Sequence, residues 1–339
     1  MEPPPRRADG GCPPDSTKAN IGNSKMKSYV LCGLIAACSL AISAADGARA
    51  QQPDRTIHLP GDDFYPEGVA IAPNGDVFVG SLGRSEIWRI PSGTVAAERF
   101  VDASANLMSV IGVHVSADGK RLYACSSDPA QRFGGRPPEV VVFDAASGRT
   151  LHRSEFPDGG LCNDMTEMAD GTILVTDSFN PRLLAMEKGA EGVSFGEWLR
   201  DDRFAGEGIS LNGIAATGEA IYVVKYSSGE MLRIVRNGDS ATIGEVDLGR
   251  PLAGPDGLEL LSDGTLLVVE GHSASLSRIT LAADGLSGTV RAVGESYLVP
   301  TTVAARDGEA YVVQGQLDRF FGSETSPPEP FSIRVTRIE

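Results

Sequence analysis

Six copies of one short pattern run through this chain, and they limit what it can fold into more than any other feature. Reading from the residue that opens each copy, they begin at Glu67 (EGVAIAPNGDVFVGS), Ile111 (IGVHVSADGKRLYAC), Asn163 (NDMTEMADGTILVTD), Asn212 (NGIAATGEAIYVVK), Asp256 (DGLELLSDGTLLVVE) and Thr301 (TTVAARDGEAYVVQ). Each reads as an apolar strand, a tight turn and a second strand. In four copies the turn dipeptide starts seven residues after the opening residue (Asn74-Gly75, Asp118-Gly119, Asp170-Gly171, Asp263-Gly264), and the other two are one residue shorter before it. A strand-only repeat recurring every 44 to 52 residues is the signature of a propeller blade. The expected fold is therefore all-β, a six-bladed β-propeller.

A closed six-unit ring needs most of the 339 residues, so 51–339 are expected to form one domain. The 40 glycines and 21 prolines are spread through the turns, as many short hairpins require. Closure should bring the termini together, because a ring protects its strand edges only when it is complete. RTIHL (55–59) is expected to be the outermost strand of the sixth blade, beside FSIRVTRI (331–338). Third strands are expected at EIWRI (86–90), EVVVFD (139–144), RLLAME (182–187), MLRIV (231–235) and SLSRITL (275–281), with ERFV (98–101) outside them in blade one. Two longer insertions, 126–138 and 317–330, both follow a second strand and should lie at the face where first strands begin, where a lid or rim would be built.

The first fifty residues read differently. Residues 1–25 have no apolar period and are expected to be a disordered or untranslated extension, with Met26 a candidate start. Lys25 and Lys27, an apolar run over 29–45 and then Ala48-Arg49-Ala50 have the order of a secretory signal peptide at 26–50, cleaved after Ala50. The run is too short for a stable membrane span. An alternative is a lipoprotein acylated at Cys38. Either reading places the propeller in the periplasm or outside the cell. Of five cysteines, Cys125 and Cys162 remain after cleavage; a disulfide and two buried thiols are both compatible with their register.

Charge narrows the partners. The chain has 30 basic and 45 acidic residues; cleavage after Ala50 removes six and four of these, leaving 24 against 41, with no basic cluster. That argues against nucleic acid and fits a cation or neutral small molecule. The expected assembly is a monomer or small homo-oligomer.

The residues opening the innermost strands of a propeller meet around one mouth of its channel. Here they are Glu67, Ile111, Asn163, Asn212, Asp256 and Thr301. Two carboxylates brought together would repel unless a cation joins them. Carboxylates with amide oxygens suit Ca²⁺ first and Mn²⁺ or Mg²⁺ next; the absence of His and Cys places Zn²⁺ lower. A hydrogen-bonded, water-filled mouth is the alternative. The ends of the second strands return to the same face with Ser81, Asp177, Lys225, Glu270 and Gln314. Asp177 or Glu270 could then serve as general base and Lys225 as an oxyanion partner, or these could be structural ion pairs. Ser81 and Gln314, with Asn163 and Asp164, are the candidate substrate contacts.

PEG (66–68), ND (163–164), NG (212–213) and PDG (255–257), each opening a blade, resemble the senescence marker protein/gluconolactonase/luciferin-regenerating enzyme family over about residues 55–339. The resemblance implies that Glu67, Asn212 and Asp256 bind one divalent metal, that Asn163 lies beside metal and substrate, and that Asp256 doubles as the base. Paraoxonases, more distantly similar, use a comparable Glu/Asn/Asn/Asp set around calcium. Two departures stand out. Sugar-lactone members carry an Arg where this chain has Leu161, and their DPxGR stretch is replaced at 177–182. The paraoxonase histidine position is Ile111, with His114 three residues on and expected to pack within the blade. The implied activity is metal-dependent hydrolysis of a lactone or related ester other than gluconolactone. The alternative is a non-catalytic propeller that binds a ligand or protein, its metal serving structure.

Overall fold

The computed structural model describes residues 55–189, 192–218, 220–238 and 240–338. The expected extension, signal peptide and Cys38 lie outside the described residues. Six four-stranded antiparallel sheets form a six-bladed β-propeller. Each blade but the last comes from one stretch of chain, innermost strand first. Blade one is Pro66–Ile71, Val77–Ser81, Ile87–Ile90 and Glu98–Val101. Blade two is Ser109–Val115, Arg121–Ser127, Glu139–Asp144 and Thr150–Glu155. Blade three is Cys162–Glu167, Ile173–Asp177, Arg182–Gly189 and Gly192–Arg200, and blade four is Leu211–Ala216, Ile221–Lys225, Met231–Asn237 and Ser240–Glu245. Blade five is Pro255–Leu260, Leu266–Glu270, Ser275–Leu281 and Gly288–Gly294.

Blade six runs Pro300–Arg306, Glu309–Gln314, Ser332–Arg337 and then Arg55–His58 as its outer strand. Arg55 pairs with Val335 and His58 with Ser332, so the chain's two ends close the ring as the edge-protection argument requires. The fourth strands of blades two to five were not singled out in the sequence. Their side chains are largely exposed, as in TLHRSE of blade two, so they lack a strong apolar period. Second strands are the opposite: VFVGS, ILVTD, IYVVK and LLVVE are buried throughout, because both faces of a blade pack against neighbours.

The core is accordingly divided among the junctions between blades. Phe78 and Ile87 of blade one meet Val113, Leu122 and Phe143 of blade two, and Leu174 and Leu183 of blade three meet Ile214 and Val223 of blade four. The first-to-second-strand turns use the dipeptides expected; Asp307 and Gly308 of blade six take φ of 53° and 76°, the left-handed pair that suits the twist of a hairpin. Cys125 and Cys162 form a disulfide, Cα–Cα 5.2 Å, joining the second strand of blade two to the first strand of blade three across 37 residues. Closing a loop of that length stabilises by about 3–4 kcal/mol. Among the described residues no helix is long and apolar enough to cross a membrane.

Candidate active site at the channel mouth

The ring residues reach the channel through a local device repeated in every blade. Pairing of the first and second strands is interrupted between Pro66 and Val69, Val110 and Val113, Cys162 and Met165, Leu211 and Ile214, Pro255 and Leu258, and Pro300 and Val303. Each bulge contains the residue that opens the sequence repeat, and a bulge re-aims a side chain out of the pleat. Glycine follows in four blades for a steric reason. A Cβ on Gly68, Gly112 or Gly213 would lie 2.4, 2.2 or 2.2 Å from the carbonyl oxygen of Ile111, Asn163 or Asp256 in the next blade. The innermost strands can converge only where that atom is missing.

Glu67, Ile111, Asn163, Asn212 and Asp256 therefore line one pocket of 410 Å³ at the mouth. Thr301 does not line it: its hydroxyl donates to the Glu67 carbonyl oxygen (2.8 Å) and so holds the backbone that presents that carboxylate. The Asn163 amide nitrogen donates to Ser178 Oγ (2.8 Å), which turns its oxygen toward the ring. The Asn212 side chain lies beside the Asp256 carboxylate and favours its charged form. Burial, with the neighbouring Asp256 and Asp164 carboxylates, holds Glu67 well above the usual carboxylate range. Burial and then Asp164 do the same to Asp256, opposed by the Asn212 side chain.

This donor set fits a hard divalent cation: two carboxylates that repel each other and two amides able to present oxygen, all buried and converging. Among the described residues no three His, Cys, Asp or Glu side chains gather at one point.

The second ring is shifted by one or two residues from the sequence expectation. Ser81 Oγ donates to the Phe64 carbonyl and accepts from Arg84 N. Gln314 accepts from Leu298 N (3.1 Å) and donates to Ser332 Oγ (2.7 Å). Lys225 pairs with Glu230 at 2.7 Å. Glu270 takes both Arg250 guanidinium nitrogens at 2.7 and 2.8 Å, Ser277 Oγ at 2.6 Å and Ala253 N at 2.8 Å, and this shell holds its carboxyl below the usual range despite burial. Asp177 accepts from Leu161 N (2.9 Å), Phe179 N, Asn180 N and Arg182 Nε (2.9 Å), while Arg182 also donates to Pro157 O and Gly159 O. None of the five lines the mouth pocket. Each closes its strand directly opposite the residue before the bulge, and all but Lys225 bond loop backbone. Asp177, Glu270 and Lys225 each form an ion pair with a residue outside the ring, Arg182, Arg250 and Glu230, and not with one another.

The residues just beyond the strand ends turn to the axis instead. Leu82, Tyr226, Gly271 and His272 line the pocket, and Ser178 anchors Asn163. Tyr226 meets His272 edge to face, centroids 5.1 Å apart, and burial, with Asp256 nearby, raises its hydroxyl pKa. The imidazole rests against Gly254, whose φ is 60° and where a Cβ would come within 2.7 Å of it. Neither residue was picked out from the sequence. The available signal was position, immediately after second strands whose ends had been identified.

Both insertions reach the rim. Pro129 of the first and Leu317, Asp318, Phe321 and Ser323 of the second line the pocket. Arg132 spreads over Phe320 (5.4 Å) and so joins them into one wall. Gln316 clamps the base of the second, donating to Glu329 O (2.9 Å) and accepting from Glu329 N (2.8 Å).

Asp164 lies deeper. It lines a separate 240 Å³ cavity further along the first strands, with Glu259 and His114, and not the mouth pocket. Its carboxylate accepts from Met165 N (2.8 Å) and Ile214 N (3.4 Å), backbone groups beside the bulges. His114 Nε2 sits 3.7 Å from Glu167 Oε2 on the first strand of the next blade, so the ring faces the channel cavity and a neighbouring blade where packing within its own blade was expected. Burial pushes Asp164 up to about 7 and Glu259 up to about 8. A carboxyl whose pKa is higher folded than unfolded keeps its proton only in the fold, so its stabilisation is complete near pH 4 and is lost as pH rises toward 8. Chelated protein should accordingly be less stable at about pH 8 than at about pH 5.5, and Glu259→Gln should recover on the order of 2 kcal/mol at the higher pH, channel water moderating the full shift. Thermal melts of both proteins in chelator check this; equal effects of the substitution at the two pH values would refute it.

No family model matches the chain, and no curated protein does. Solved structures do match in shape. A gluconolactonase from Xanthomonas campestris aligns at TM-score 0.59 and 15% identity over 84% of this chain and 90% of its own. A catalytically inactive virginiamycin B lyase from Staphylococcus aureus, bound to quinupristin, aligns at 0.58 and 14% over 84% and 99%. A PQQ-bound aldose sugar dehydrogenase from Streptomyces coelicolor aligns at 0.52 and 14% over 85% and 99%. At such identities the likeness shows the fold, and three different chemistries on one scaffold leave function to be argued from the site.

Proposed function

We propose that this protein is a divalent-metal-dependent hydrolase of a lactone or related ester, with Ca²⁺ the first choice of metal. One observation carries the reading: Glu67, Asn163, Asn212 and Asp256, far apart in sequence, converge at the floor of one open pocket. These four residues would hold the cation, which when bound supplies a Lewis acid for an ester carbonyl. Asp256 is the carboxylate placed to take the proton of an attacking water, and the Asn212 side chain lies beside it. Water adds to the acyl carbon, the bond to the ring or alkoxy oxygen breaks, and that oxygen leaves with a proton. The four donors are themselves buried, which strengthens the polar contacts they make at the floor.

The fold shared with a gluconolactonase is compatible with hydrolysis, as it is with lyase and dehydrogenase chemistry. The pocket's openness supports hydrolysis: the insertions 126–138 and 317–330 form its wall without sealing it, as a sealed binding module would require. The disulfide supports action outside the cytoplasm, in keeping with the signal peptide read at 26–50. The test is a panel of lactones and aryl esters assayed after chelation and after reloading with Ca²⁺, Mn²⁺, Mg²⁺ or Zn²⁺. Turnover should vanish on chelation and return best with Ca²⁺. Turnover unchanged by chelation would overturn metal dependence, and Ca²⁺ binding with no turnover of any substrate would favour the binding module.

A further inference from the structure

We infer that the mouth pocket selects lactones or esters carrying a hydrocarbon chain, with Phe321 a specificity-determining residue. This rests on the hydrolase reading for the polar end of the ligand and adds what the rest of it must be. Above the four oxygen donors the wall is Leu82, Ile111, Leu161, Ile209, Val299 and Phe321. These come from blades one, two, three, four and six and from the 317–330 insertion, so the collar is apolar around most of its circumference. It is interrupted where Tyr226 and His272 stand, on the side of Asn212 and Asp256.

That division of polarity orients a ligand. A carbonyl drawn to the floor and a leaving oxygen turned toward Tyr226 and His272 direct the remaining atoms along the arc of Leu161, Ile111, Leu82 and Phe321. A polyhydroxylated ring would fare badly there. No Lys or Arg is among the lining residues, and at the rim beyond Tyr226 and His272 only Asp318 and Ser323 offer polar side chains. Each hydroxyl buried without a partner weakens binding by roughly tenfold. Leu161 stands where sugar-lactone members of the resembling family carry an arginine. Its main-chain N–H is held by Asp177 (2.9 Å), so the apolar side chain is fixed in the wall.

Phe321 is the exposed part of this surface. It is 48% exposed and continuous with the apolar lining of the pocket. Phe320 supports it edge to face at 5.1 Å and is itself packed on Tyr65 and beneath Arg132. The ring is thereby held over a pocket of 410 Å³, larger than an unsubstituted small lactone needs and ample for an alkyl chain.

Non-hydrolysable γ-lactams carrying ethyl to octyl chains, titrated calorimetrically into Ca²⁺-loaded protein, test the inference apart from turnover. Affinity should rise about threefold to fourfold per methylene until the pocket is filled. Phe321→Ala, whose melting temperature should match the parent because the side chain is half in solvent, should flatten the slope and weaken the octyl lactam about tenfold. Gluconolactam should bind more weakly than the octyl compound to the parent protein. Equal affinity from ethyl to octyl, or preference for gluconolactam, would overturn the inference even if simple esters were hydrolysed. A clear slope with no ester turned over would uphold the ligand class and defeat the hydrolase reading instead.

Discussion

Asp256→Ala should lower kcat/KM for lactone and ester hydrolysis by about a thousandfold or more while leaving the propeller folded. Asp256 is proposed both to hold the cation and to accept the proton of the attacking water, and neither of the other polar residues on the floor beside Glu67 can replace it, since Asn163 and Asn212 are amides without basicity at neutral pH. The fold should survive because the side chain sits in a bulge facing the channel and not in an inter-blade core. Removing the charge also relieves the repulsion that raises Glu67. Chelated Asp256→Ala should therefore melt no lower than the chelated parent at about pH 8, with the difference fading at about pH 5.5. Asp256→Asn separates the two roles, keeping an oxygen ligand and losing the base; it should bind Ca²⁺ weakly and still fail in turnover. Steady-state rates, Ca²⁺ calorimetry and thermal melts read these outcomes, and undiminished hydrolysis by the alanine variant would remove Asp256 from the mechanism.

Asp177→Ala should be the most damaging substitution to stability, costing about 3–5 kcal/mol. Arg182 is 2% exposed and its Nε is paired to Asp177 at 2.9 Å, so the substitution leaves a buried guanidinium with only the partly exposed Glu197, 3.8 Å away, to balance its charge. It also strands the N–H groups of Leu161, Phe179 and Asn180. For a domain of this size the melting temperature should fall by about 10 °C. Had Asp177 been a general base, Asp177→Asn would abolish kcat in a protein of normal stability. The structure leads to the reverse expectation: a lowered melting point, kcat retained, and a raised KM as the 157–161 segment carrying Leu161 loosens. A stable, inactive Asp177→Asn protein would contradict this assignment.

The difference between Asp177 and Asp256 shows how far the chain could be read before its structure was known. Both are acidic residues at fixed points of the repeat on the same face, one ending a second strand and one opening a first strand. Alternation along a strand says which residues share a face, yet the faces of a propeller blade look toward neighbouring blades and not toward the axis. Only the bulge turns the opening residue inward, and nothing in the local sequence marks it except the following glycine. In the second strands no bulge intervenes, so Ser81, Asp177, Lys225, Glu270 and Gln314 keep their sideways direction, and the residues after them bend toward the mouth.

Blade number, the order of the inner strands, ring closure and the meeting of Glu67, Asn163, Asn212 and Asp256 at one mouth were legible in the sequence because a six-fold repeat carries its own register. A residue's place in one copy predicts its neighbours in the others, whatever their separation along the chain. The direction of individual side chains was not legible, and the tertiary structure decided it. It paired Cys125 with Cys162, committed Glu270 to Arg250 and Asp177 to Arg182, brought Tyr226 beside His272, and set Phe321 over an apolar collar. The disulfide, the Tyr226–His272 contact and the Phe321 wall depend on segments of different blades meeting, and the ion pairs on side chains settling against nearby loop backbone. There the competition for buried hydrogen bonds and apolar contacts is settled by three-dimensional packing, and no repeat in the sequence encodes it.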